Sequence, residues 1–199
     1  MHREERHMLI LASQSKSRQR LLKAAGVEFS AVPADIDEDE IKRAEPDGYK
    51  AALKLAEIKA ETVSEKYQDA FVIGADQILE LDGKHFSKPA NMSEAAAQLC
   101  ALRGKTHSLI NGVAVAKAGK TVWSTNTAVK VVLRNFSDEF LDYYLRTAGN
   151  GICSSVGAYY LEELGAQLVE RVEGDYFSVL GLPILPLFEF LRSCGELKK

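Results

Sequence analysis

With 199 residues, 46% of them hydrophobic, the chain can bury a sizeable core in one domain, or one domain with a lobe. Lys plus Arg total 25 against 28 Asp plus Glu, a formal charge of −3; this excludes the broadly basic surface of a nucleic-acid binder, so a polyanionic ligand would need a locally basic cleft. There is no run of 18 apolar residues to cross a membrane, and Cys100, Cys153 and Cys194 lie far apart without metal-ligand spacing, which suits a reducing cytoplasm.

Residues 1–7 are polar and charged and read as a disordered extension ahead of a single domain over 8–199. Met8 to Ala12 is an apolar run of strand length. Leu21, Leu22 and Ala25 then recur at helical spacing before Gly26, a C′ stop, so a helix begins near Ser15 to Ser17. Val27 to Val32 reads as a second strand. Asp35 to Glu40 reads as an acidic loop, with five carboxylates in six residues. Tyr49 to Tyr67 is a helix capped by Asp47, its apolar face traced by Leu53, Ala56, Ala60 and Val63 and Lys59 on its polar side. Phe71 to Gly74 is a buried strand, and Asp82-Gly83 is a hairpin turn leading to His85 and Phe86.

Ser93 caps a helix that runs to Leu102. Residues 106–133 form a long hairpin bent at Lys117-Ala118-Gly119-Lys120, and Ser137 caps a helix through Leu145. A loop at Gly149-Asn150-Gly151, mixed strand and turn from Tyr159 to Val172, and a terminal helix over Pro183 to Leu191 complete the chain. Strands and helices alternate early while the later hairpin is antiparallel, which predicts an α/β fold with a mixed sheet flanked by helices.

The first strand–helix junction is the most informative segment. A helix N-terminus offers unpaired backbone N–H groups and the positive end of the dipole, so an anion placed there meets donors and favourable charge together. Ser13, Ser15 and Ser17 add hydroxyls and Arg18 a bidentate fork. The alternative is that one serine caps the helix and the basic side chains are solvated. Asp76 follows the third strand, where open α/β sheets place ligands; it either orients a water or holds a divalent ion, or is satisfied by turn amides. Arg18, Lys59, Lys88 and Arg103 are the candidates for a basic cleft. His85 and His107 have no partner assignable from spacing, and His107, among alternating strand residues, reads as structural.

The Leu11 to Arg18 run, LASQSKSR, resembles the LASxSPRR signature of the Maf family, nucleoside triphosphate pyrophosphatases once described as septum-formation inhibitors. Further matches follow in the family's order: Asp35-Ile36-Asp37-Glu38, Leu55-Ala56-Glu57-Ile58-Lys59-Ala60, Gly74-Ala75-Asp76-Gln77, Ser87-Lys88-Pro89, Leu102-Arg103-Gly104-Lys105-Thr106-His107, Gly157-Ala158-Tyr159 and Gly181-Leu182-Pro183. The resemblance implies a fold like that of the inosine triphosphate pyrophosphatases, with a cleft between two lobes. It implies hydrolysis of a nucleoside triphosphate to monophosphate and pyrophosphate in the cytoplasm, without nucleic acid or membrane, and admits a homodimer. It assigns Asp76 as general base, Lys59 and Lys88 as triphosphate contacts, and Glu38 with Asp76 as ligands of Mg²⁺ or Mn²⁺.

Three departures bear on the base. Lys16 and Ser17 replace the usual Pro and Arg; Gln77 stands where the pyrimidine-preferring branch has Thr; Glu162 stands where that branch has Gln. Gln77 and Glu162 resemble the branch acting on 7-methyl-GTP, although Ser17 lacks the Trp often found there. A carboxylate accepts N–H bonds from a guanine edge and favours the positive charge of N7-methylation. The expected substrate is therefore 7-methyl-GTP, with dTTP, UTP or CTP as the alternative. A nucleotide-binding regulator of cell division with low turnover is the competing class.

Overall fold

The computed structural model describes residues 8–198; the extension expected over residues 1–7 lies outside them. In chain order the elements are β1 (Leu9–Leu11), α1 (Lys16–Ala24), β2 (Ser30–Ala31), α2 (Glu38–Ala44), α3 (Gly48–Ser64), β3 (Phe71–Leu81), β4 (Lys84–Phe86), α4 (Met92–Leu102), β5 (Thr106–Lys117), β6 (Lys120–Leu133) and α5 (Asp138–Ala148). Short 3₁₀ turns follow, then β7 (Val169–Glu173), α6 (Tyr176–Val179) and α7 (Ile184–Ser193).

Among the described residues the strands form one mixed seven-stranded sheet in the order β2-β1-β3-β5-β6-β7, with β4 on β3. β1 is parallel to both β2 and β3, pairings that the intervening helices allow by carrying the chain back, while β3–β4 and β6–β7 are antiparallel. The mixed α/β expectation holds. No helix among the described residues is long and apolar enough to cross a membrane.

Several boundaries differ from the sequence reading. The segment read as an acidic loop is the helix α2, because the Asp37 carboxylate accepts from Glu40 N–H, acids fill the first turn, and Lys42 and Arg43 sit in the last. β2 is shorter than Val27 to Val32. β3 does not stop at Gly74 but runs on to Leu81, so Asp76 is a mid-strand residue. α4 is capped by Asn91, whose side chain accepts from Glu94 N–H, and Ser93 lies inside the helix. The glycine loop at 149–151 is a 3₁₀ turn.

The described chain forms two compact units. The first holds β1 through Asp76 of β3, Asn111–Thr127 and the residues from Gly181 onward. Its organising contact is α3 on the sheet. Ala52, Ala56 and Ala60 lie fully buried along one face, and two glycines let the backbones close up: a Cβ on Gly74 would fall 2.0 Å from the Ala56 carbonyl oxygen, and one on Gly112 would fall 2.2 Å from that of Ala52. Asp47 starts α3 by accepting from Tyr49 and Lys50 N–H. The second unit, Gln77–Ile110 and Ala128–Leu180, has its own core, in which Leu79, Leu99, Leu102, Leu133, Phe136 and Tyr144 are almost wholly buried. Each such side chain contributes about 1.5–3 kcal/mol of transfer free energy.

Candidate active site

The close seat of α3 on β3 fixes the chemistry of the first unit. Lys59 precedes Ala60 on the buried face, so its ammonium is held against the strand rather than in solvent; the expectation of a polar-side lysine is corrected by its 6% exposure. Lys59 Nζ donates to Asp76 Oδ1 at 2.7 Å and pairs with Glu38 Oε1 at 2.8 Å. Glu38 reaches the pair because Asp37 starts α2 one residue earlier. The second Asp76 oxygen, Oδ2, is buried without a hydrogen-bond partner, and Lys42 Nζ stands 3.9 Å from it.

Arg18 lies beneath this cluster. Its Nε donates to the Gly181 carbonyl at 2.8 Å, and Nη1 donates to the Ala75 carbonyl at 2.9 Å and to Ser13 Oγ at 3.2 Å. Three sequence motifs thus meet on one guanidinium. Burial pulls the Arg18 pKa below its ordinary value, and the charges of Asp76 and Glu38 oppose that shift. With Nε and Nη1 committed to the protein, Arg18 braces the strand that carries Asp76, and the reading of it as a solvated cation is corrected by its burial. Ser13, also buried, accepts from Ser15 N–H, while Ser15 Oγ caps α1 by accepting from Arg18 N–H. Ser17 is partly exposed on the first turn.

The second unit holds the other expected residues. Lys88 is exposed after β4, and Glu162 is exposed in a turn. The Gln77 side-chain amide donates to the Ser178 carbonyl at 2.9 Å and the Val179 carbonyl at 3.3 Å, which fixes its orientation. Arg103 is not a cleft cation: it pairs with Asp138 at 2.7 Å and lies over the Phe136 ring. His107 is buried with Nε2 2.7 Å from the Tyr159 hydroxyl, and desolvation lowers its pKa to about 4, as its structural reading requires.

Among the described residues no group of three or more His, Cys, Asp or Glu side chains is gathered for a metal. The donor chemistry that is present suits a hard cation of the Mg²⁺ type, which takes one or two carboxylates and completes its shell with substrate phosphate and water. Lys42 is the one residue of this cluster that sequence reasoning missed. Its signal was the Glu38–Lys42 spacing of four, 3.5 Å apart in the structure, which is informative only once α2 is known to be a helix.

A sequence profile describing the Maf-like protein family matches residues 8–194. The chain belongs to the Maf-like family. A relative named nucleoside triphosphate pyrophosphatase from Paramagnetospirillum magneticum is 47% identical over 192 residues, covering 94% of this chain and 99% of its own. One of the same name from Nitrobacter hamburgensis is 48% identical over 191 residues, covering 95% of each. The solved structure of a HAM1 protein from Coxiella burnetii aligns with a TM-score of 0.44 at 15% identity, over 65% of this chain and 74% of that one.

Proposed function

We propose that this Maf-like chain hydrolyses a nucleoside triphosphate between its α and β phosphorus atoms, releasing the monophosphate and pyrophosphate. The observation that carries the reading is the buried Lys59 ammonium shared by Asp76 and Glu38, with one Asp76 oxygen left without a hydrogen bond. Relatives nearly half identical to it carry the pyrophosphatase name.

Asp76 is the base. Its Oδ1 is anchored by Lys59, which leaves the two lone pairs of Oδ2, one to accept a proton from a water aimed at the α-phosphorus and one to face the metal position. Fixing the carboxylate in advance means that little reorganisation is needed at the moment of attack. Arg18 holds the strand residue before Asp76 by its carbonyl and so holds the base in register. Lys59 and the exposed Lys88 supply positive charge for the departing pyrophosphate, and the hydroxyls of Ser13, Ser15 and Ser17 supply donors at the α1 N-terminus. Glu38 and Asp76 would hold Mg²⁺ or Mn²⁺, which when bound neutralises phosphate charge.

The preferred base in this reading is that of 7-methyl-GTP. Glu162 supplies an acceptor and a negative charge, and the backbone-anchored Gln77 amide supplies a fixed polar edge. Incubating the protein with a panel of nucleotides and Mg²⁺ or Mn²⁺, and following products by phosphorus NMR, tests the reading. Monophosphate plus pyrophosphate is expected; diphosphate plus orthophosphate would overturn it, and binding without turnover would favour the regulator.

A further inference from the structure

Resting on the hydrolytic reading and on Asp76 and Glu38 as its metal carboxylates, we propose that Lys42 is the resident counter-ion of the metal position, an ammonium that an incoming divalent cation displaces. Each of the two carboxylates turns one oxygen to Lys59 and the other to Lys42. Lys59 takes Glu38 Oε1 and Asp76 Oδ1 at 2.8 and 2.7 Å, the length of charge-assisted hydrogen bonds. Lys42 faces the other two, Glu38 Oε2 at 3.5 Å and Asp76 Oδ2 at 3.9 Å, close enough for Coulomb attraction and too far for a good hydrogen bond.

The two cations therefore differ in kind. Lys59 has a side chain only 8% exposed and is held by α3, so it is a fixed part of the site. Lys42 is 25% exposed on the short helix α2, and its flexible stem can carry the ammonium outward. Asp76 Oδ2, buried without a hydrogen bond, marks the side on which the pair is incompletely satisfied. An uncompensated carboxylate oxygen is costly there, and Lys42 offsets part of that cost without filling the place. A divalent ion at these two oxygens competes directly with Lys42, whereas it leaves Lys59 in position. Lys42 thereby sets how much metal the site needs before it fills.

The test is direct Mn²⁺ binding to the full chain without nucleotide, measured from the free-ion electron paramagnetic resonance signal. Lys42→Met, which keeps the length and removes the charge, should bind Mn²⁺ roughly tenfold more tightly than the unmodified protein. Lys42→Gln should tighten it in the same direction, and Lys42→Arg should stay within about twofold, since it keeps the charge. Thermal melts check that each variant folds, and either uncharged variant suffices. Equal or weaker Mn²⁺ binding in the uncharged variants overturns the proposal. Weaker nucleotide binding with unchanged Mn²⁺ affinity also overturns it and makes Lys42 a phosphate contact. If none of the proteins binds Mn²⁺, the counter-ion role fails while the hydrolytic reading still stands or falls on its products.

Discussion

Lys59 Nζ lies 2.7 Å from Asp76 Oδ1, and both side chains are buried. Seventeen positions separate them in sequence, and the contact exists because Gly74 lets α3 settle onto β3. The same ammonium also serves Glu38, so both carboxylates depend on it. Removing Lys59 strips both acids of their closest cation, whereas removing the Asp76 charge leaves Lys59 with Glu38. Lys59→Met should therefore be the more destabilising, by about 3–5 kcal/mol in urea unfolding, because it leaves a buried carboxylate uncompensated. Adding Asp76→Asn to it should recover much of that loss without recovering activity. Additive losses in the double variant would disprove the coupling.

Asp76→Asn alone keeps the side-chain shape and should fold. Its turnover should fall by roughly 10²–10⁴-fold, the range for loss of a general base. A normal kcat with a raised Mg²⁺ requirement would instead make Asp76 chiefly a ligand. Titrating kcat against Mg²⁺ separates these outcomes.

What the sequence made legible was local. The β1–α1 junction follows from an apolar run, a serine cap and a glycine stop, each readable within a few residues, and the structure keeps all three. In α2 the clustered carboxylates look like a solvated loop; what makes them helical is Asp37 at the cap and basic residues four positions on. The apolar run that marks β3 in the sequence ends at Gly74, two residues before Asp76. In the folded chain Gly74 is instead the close-approach residue under α3, and the strand continues through it. The burial of Lys59 and the clamp on Arg18 depend on partners from 17 to 163 residues away, and no local pattern encodes those.

Gly74→Ala tests whether that packing positions the site. Its Cβ would meet backbone on the α3 side, 2.0 Å from the Ala56 carbonyl oxygen and 2.8 Å from Ala60 N, so α3 must shift and carry Lys59 with it. A stability loss of about 1–3 kcal/mol or more is expected, together with reduced turnover. Gly151→Ala, with nothing within 4 Å of the added Cβ, should stay within about 0.5 kcal/mol and keep its activity. Similar stabilities for the two variants would refute the close-approach argument.

Glu162→Gln combined with Gln77→Thr should shift preference from 7-methyl-GTP towards UTP or dTTP. A site built to pair polar groups discriminates strongly against a base that leaves them unpaired, whereas shape alone gives about 1–3 kcal/mol. Comparing kcat/KM for the three nucleotides decides it. An unmodified protein that already prefers a pyrimidine would refute the base assignment while leaving the assignment of Asp76 and Lys59 untouched.

His107 should give the fold an acid-sensitive stability. Its Nε2 meets the Tyr159 hydroxyl, Nδ1 is buried without a hydrogen bond, and desolvation lowers the pKa to about 4 from the 6.5 of an unperturbed imidazole. Between those values the unfolded chain binds a proton that the folded chain does not, so protons favour unfolding. The contribution is complete above about pH 6.5, declines as pH falls through that value, and levels off near pH 4. Its size between pH 7.5 and 5 is about 2 kcal/mol. His107→Gln, which keeps a polar tip for Tyr159 and does not titrate, should be less stable than the unmodified protein at pH 7.5. The gap should narrow or reverse by pH 5. A gap in unfolding free energy that stays constant across that range would mean that His107 is protonated as readily in the folded chain as in the unfolded one.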